Sequence, residues 1–151
     1  MLRTLCSAVL VLALPATALA SLGGTVATVE ADRARTKSAL VRIARVDGYT
    51  VHEMQTPAGT TVREYYGADG VVFGVAWQGP VPPDFRQVFG KYFDQYQQAV
   101  ITARRTRRSR GSMTIREQGL VVQAMGHARS FSGIAYAPDL VPSGVTPGVI
   151  R

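Results

Sequence analysis

From Tyr49 onward, apolar and polar residues alternate in short runs and then change period. YTVHEMQ (49–55) and TTVREYY (60–66) are rich in β-favouring residues, and the turn cluster Thr56-Pro57-Ala58-Gly59 separates them. Gly67-Ala68-Asp69-Gly70 is a second turn, leading into VVFGVAWQ (71–78). Short connections of this kind predict antiparallel hairpins, because parallel pairing needs a crossover of a dozen or more residues. In the third run, simple alternation puts Val71, Phe73, Val75 and Trp77 on one large face. Val72, Gly74 and Ala76 then form a small face that another element can approach closely.

The period changes after Pro82-Pro83. Phe85, Val88, Phe89, Tyr92, Phe93, Tyr96 and Val100 recur at three- and four-residue steps, one apolar stripe of a helix spanning about Asp84 to Ala103. Asp84 suits the N-cap, where a carboxylate accepts the first free N–H groups and meets the positive end of the helix dipole. Upstream, Gly79-Pro80 ends the preceding strand, since proline donates no ladder hydrogen bond. Three further β-like runs follow, Ser112 to Glu117, Leu120 to Met125 and Ala128 to Tyr136, parted by turn signals at Gln118-Gly119 and Gly126-His127. The order β-β-β-α-β-β-β predicts an α+β domain, about six short antiparallel strands with one long amphipathic helix on a face.

The ends of the chain read differently. Residues 1–20, MLRTLCSAVLVLALPATALA, have an early cation at Arg3, a short apolar run, and Ala18-Leu19-Ala20 as a small-x-small cleavage site, which predicts a cleaved signal peptide. The apolar run falls short of the roughly 20 residues that a bilayer span needs. Residues 21–48 form an N-terminal segment, with a small, Gly-rich and loosely tied start; Glu30 to Val46 is open between a short helix leading into a strand and other forms. Residues 49–137 make the single domain. The final stretch, 138–151, carries Pro and Gly in a pattern that predicts an irregular surface tail.

Cleavage removes Cys6, the only cysteine, so disulfides and cysteine metal ligands are excluded from the mature chain. It leaves 131 residues, enough for one real core. The net charge of the whole chain is +7, and losing Arg3 makes it +6. On an exported protein this excess points away from nucleic acid and toward anionic lipid or polymer.

Candidate chemistry is sparse. His52-Glu53 lacks a second histidine four residues on, where Thr56 stands, so the zinc-protease pattern is absent; no G-x-S-x-G elbow occurs. Glu53, Arg63 and Glu64 lie on neighbouring strands, where cross-strand ion pairing on a solvated face outweighs an active carboxylate pair. The run Arg104, Arg105, Arg107, Arg108 and Arg110 suits either a lipid-phosphate contact or, the favoured reading, solvated cations offsetting a helix C-terminus. The helix aromatics are expected in the core. Trp77 is expected as a packed corner between strand and helix, and as a ligand platform second. The residues carried forward as candidate binding groups are Trp77, His52, His127, Arg129, Arg104, Arg105, Arg107 and Arg108, with no catalytic residue, metal or cofactor assigned.

The chain resembles a bacterial secreted family known as domain of unknown function 2844. The resemblance rests on LGG (22–24), YTVHE (49–53), VREY (62–65), VFGVAWQGP (72–80), PDFRQVFGKYF (83–93), GLVVQAMGHARSF (119–131) and AYAPDLVPSGV (135–145). It implies an exported, periplasmic protein of proteobacteria and supplies no activity or site. The arginine run falls between these blocks. The resulting expectation is a non-enzymatic binding or accessory module of the cell envelope whose partner is an envelope protein or an anionic lipid or polymer. One alternative is an envelope-polymer hydrolase using His127 with Arg129, or His52 with Glu53 or Glu64. The other is a membrane-surface protein docking through the arginine run.

Overall fold

The computed structural model describes residues 21–25, 37–106 and 111–151. The signal peptide (1–20), most of the upstream segment between 26 and 36, and Arg107, Arg108 and Arg110 lie outside the described residues. Seven strands form one sheet: β1 (Ala39–Val46), β2 (Tyr49–Gln55), β3 (Thr61–Tyr66), β4 (Val72–Gly79), β5 (Ser112–Glu117), β6 (Leu120–His127) and β7 (Ser130–Tyr136). Their order is β1-β2-β3-β4-β7-β6-β5, with every neighbouring pair antiparallel. The first four strands meander inward, the helical run carries the chain to the far edge, and the last three return to close β7 on β4. The architecture is the expected α+β, with one strand more than expected: in the Glu30–Val46 stretch, whose residues 30–36 lie outside the described residues, Ala39–Val46 is β1, paired with β2.

Asp84 caps α1 (Phe85–Phe89) as its sequence suggests, its Oδ1 accepting from the Arg86 N–H at 2.9 Å. A short 3-10 turn (Gly90–Tyr92) links α1 to α2 (Phe93–Thr106). The interruption has a local cause. Gly90 takes φ +46°, and the Ser21 side chain occupies the space where a β-carbon at 90 would stand.

The start of the described chain, expected to be loose, is fastened at this place. The Leu22 N–H donates to the Val88 carbonyl at 3.0 Å, Gly23 donates to Val72 at 2.8 Å, and Val72 donates to Gly24 at 2.9 Å. Leu22 itself is 0% exposed. Burying a side chain of this size stabilises by about 1.5–3 kcal/mol, enough to hold a short segment without regular structure.

Strand β4 departs from simple alternation. Tyr65 pairs with Gly74 but Tyr66 pairs with Val72, so Phe73 is an extra residue in a β-bulge. The bulge turns the first half of the strand over. Val72, Val75 and Trp77 face the helix and share its core with Phe89, Tyr96, Ile115 and Val122. Phe73 packs instead on the opposite face with Tyr65, Ala76 and Ile150, which corrects the expectation that it lies beside Val75 and Trp77.

That second face is covered by the C-terminal stretch. It is irregular, with only two 3-10 turns (Pro138–Leu140 and Pro147–Val149), yet its apolar residues are inside rather than on the surface. Ile150 Cδ1 sits where a side chain at Gly74 would begin, 2.5 Å from that β-carbon position. The Tyr65 hydroxyl donates to the Arg151 carbonyl at 2.7 Å and closes the tail down. The small residue at 74 therefore does admit another element, as its size suggested.

Candidate ligand groove between helix and sheet

Trp77 is 3% exposed and stands at the strand end beneath the helical run. Its ring meets Phe85 edge-on at 5.4 Å and Phe89 at 6.1 Å, and Phe85 stacks on Phe89 at 5.5 Å. Tyr96 closes the set 4.3 Å from Phe89. Contacts of this geometry contribute about 0.5–1.5 kcal/mol per pair beyond area burial. The stripe is core, and Trp77 is the corner between sheet and helix, as its flanking Gly-Pro and Pro-Pro signals suggest.

Packing stops short at the far end of the helix. Between α2 and the ends of β5, β6 and β7 lies a groove of about 300 Å³. Trp77, Phe85, Tyr96, Val100, Met113 and Phe131 make its apolar walls, and Arg104 stands at its edge. Among the described residues, Arg104 is the one charged side chain that lines it, and no ion pair among them engages that guanidinium. Burial pushes the Tyr96 phenol above its ordinary pKa, and the charge of Arg104 pulls it part of the way back. The two polar groups therefore act on each other at one end of an otherwise apolar trough. A second concavity of about 370 Å³ lies on the other face, among Arg63, Gln78, Gln123, Ser132 and Ile134. Two arginines line it, Arg63 and Arg151, and the first is already paired: Arg63 Nε lies 2.6 Å from Glu53 Oε2.

The other candidate residues are dispersed. His52 and Glu64 are direct cross-strand partners on β2 and β3, and Tyr66 Oη lies 2.6 Å from His52 Nε2. Both are deeply buried, His52 at 4% exposed and Glu64 at 5%. A general acid or base must come within hydrogen-bond reach of a substrate, so this burial favours a structural polar cluster. Glu53 and Arg63 form the expected cross-strand ion pair, with Glu64 turned to the opposite face by the alternation of β3.

His127 and Arg129 are exposed on the β6–β7 hairpin. The turn there falls at Ala128-Arg129, with Arg129 at φ +60°, rather than at Gly126-His127, because Gly126 and His127 still pair with Phe131 and Ser130. Four strand spacings separate β2 from β6, roughly 19 Å between the two histidine strands. No cluster of three or more His, Cys, Asp or Glu side chains converges among the described residues. Arg105 is exposed on the last turn of α2, pointing its charge to the negative end of the helix.

Of the six candidate residues that the structure describes, Trp77 and Arg104 come together on this groove, and Tyr96, Met113 and Phe131 line it with them. Met113 carries one readable signal, its place in the alternating run SMTIRE, which puts it on the same face as Ile115. Phe131 carries none, since its partners are set by the β6–β7 register.

No curated protein and no solved structure matches the chain. The family profile described as protein of unknown function (DUF2844) matches residues 18–150. The chain, through almost all of the sequence that builds the sheet, helix and tail, belongs to that family.

Proposed function

We propose that the protein is an exported, non-enzymatic binding module of the bacterial cell envelope, and that the groove beside Trp77 and Arg104 is its ligand site. The observation that carries this reading is the groove itself: an apolar trough of about 300 Å³ with one cation and no carboxylate among the described residues that line it. Binding sites are commonly concave, largely apolar and furnished with a few convergent polar groups. The leader pattern of residues 1–20 and the excess of arginine support an exported protein meeting anionic envelope material. Among the described residues, no helix is long and apolar enough to cross a membrane.

Trp77 is the only tryptophan, so its emission reports on the groove directly. Titration of the purified protein with the dye 1-anilinonaphthalene-8-sulfonate, exciting Trp77, is expected to give saturable energy transfer at one dye per chain. Ala103→Phe, which fills the groove from the helix, is expected to abolish it. Transfer that persists undiminished in a folded Ala103→Phe protein places the dye elsewhere and removes the reading.

The hydrolase alternative keeps one supporting observation, the juxtaposition of His52 and Glu64. Loss of envelope-polymer cleavage in a folded His52→Gln protein, against cleavage by the parent, is the result that would establish it.

A further inference from the structure

We propose that the groove takes a single-chain anionic amphiphile, its hydrocarbon lying under α2 and its acidic head on Arg104. This rests on the binding-module reading above and adds the class of ligand. Volume sets the number of chains. A cavity of roughly 150 Å³ holds one benzene ring, so a groove of about 300 Å³ holds about twice that, an alkyl chain on the order of twelve carbons rather than the paired chains of a bilayer lipid.

The lining sets the chemistry along that length. Phe85 and Trp77 lie toward the start of the helical run and Val100 and Arg104 toward its end, giving a trough that is apolar along its course and cationic at one rim. Met113 and Met125 border it, and Met125 is 58% exposed. Thioethers are unbranched and polarizable, and they adapt to a flexible chain better than branched side chains do.

The charge sets the head group. A cationic head would be repelled by Arg104 and would find no carboxylate among the described lining residues. A neutral head would leave the guanidinium without a charged partner. A carboxylate or phosphate matches the fork of N–H donors on an arginine, and such charge-assisted bonds are the strong ones. Tyr96 lies close enough to Arg104 for the guanidinium charge to act on its phenol.

The test compares dodecanoate, dodecanol and dodecyltrimethylammonium, each below its micelle concentration, by their effect on Trp77 emission. Dodecanoate is expected to bind about tenfold more tightly than dodecanol, the gain of one charge-assisted contact, and the cationic amphiphile least. Arg104→Gln, an exposed substitution that leaves the fold intact, is expected to erase the preference for dodecanoate while dodecanol binding persists. Equal binding of dodecanol and dodecanoate by the parent protein, or a preference surviving in Arg104→Gln, overturns the head-group assignment and leaves the groove as a binding site. Failure of all three amphiphiles and of the dye to affect Trp77 overturns both. Binding to vesicles of anionic phospholipid that depends on Arg104, without any response to dodecanoate, overturns the single-chain ligand in favour of a membrane surface.

Discussion

Trp77 lies across Gly133: the two are directly opposite on β4 and β7, and the indole fills the space that a β-carbon at 133 would need. The Gln123 carbonyl presses on the same point from β6, 2.7 Å from that position. Glycine here serves clearance alone, and its neighbours Trp77 and Ala124 form the floor on which the helix aromatics sit. Gly133→Ala is expected to lift the indole, to cost about 1–3 kcal/mol as overpacked cores do, and to shift Trp77 emission to the red. Thermal unfolding with a fluorescence readout checks both, and an unchanged melting temperature would show that Trp77 does not need this clearance.

The tail and the bulged strand make a coupled pair. Ile150→Ala is expected to destabilise by about 2–4 kcal/mol, because it empties a buried site between Gly74, Tyr65 and Phe73. Gly74→Ala alone is expected to be destabilising too, since its methyl meets Ile150 Cδ1. With both changes the new methyl occupies vacated space, so the two costs should fall short of adding. A denaturant-derived double-mutant cycle reads this coupling, and strict additivity would mean that Ile150 does not pack there.

Tyr66→Phe removes the hydroxyl that contacts His52 in a buried setting. The expected cost is about 1–3 kcal/mol, the penalty for deleting one partner of a buried polar contact, with ligand binding in the distant groove unchanged. Urea midpoints measured beside the dye titration separate the two effects. A Tyr66→Phe protein of full stability but lacking binding would reassign this cluster from structure to function.

Tyr96 makes stability depend on alkaline pH. Burial holds its folded-state phenol above the ordinary value of 10.0, so the folded protein binds its proton more tightly than the unfolded chain does. The corresponding stability is fully present below pH 10 and is lost as pH rises from there through the folded pKa. Tyr96→Phe is expected to flatten this loss. Arg104→Gln, by removing the charge that pulls the pKa down, is expected to move the phenol higher still. Spectrophotometric titration of the tyrosines, with unfolding curves on both sides of pH 10, decides both points.

Local chemistry made several elements legible. The Asp84 cap, the Gly79-Pro80 strand end and the three-and-four spacing of Phe85 to Val100 all act within a few residues, and each stands in the structure where its pattern puts it. The turns that join β2, β3 and β4 were legible for the same reason, and so was the alternation of β4 from Val75 onward. At Phe73 the register depends on which partner Tyr66 takes, a choice made between strands and not within one. The site was legible only in part. Trp77 and Arg104 carry recognisable chemistry, but 26 intervening positions and a helix part them in sequence, and nothing local signals that they share a wall.

By itself, then, the sequence determined this protein's class and its punctuation: an antiparallel α+β chain with an aromatic helix face, and an ending rich in Pro and Gly. Those properties follow from backbone geometry and side-chain period, which act over a few residues. Tertiary structure alone decided that the N-terminal strand joins the sheet, that Leu22 and Ile150 plug opposite faces, and that packing leaves a groove at the end of α2. Burial is a property of the assembled surfaces, so residues far apart in the chain acquire a common environment only once the sheet has brought them together.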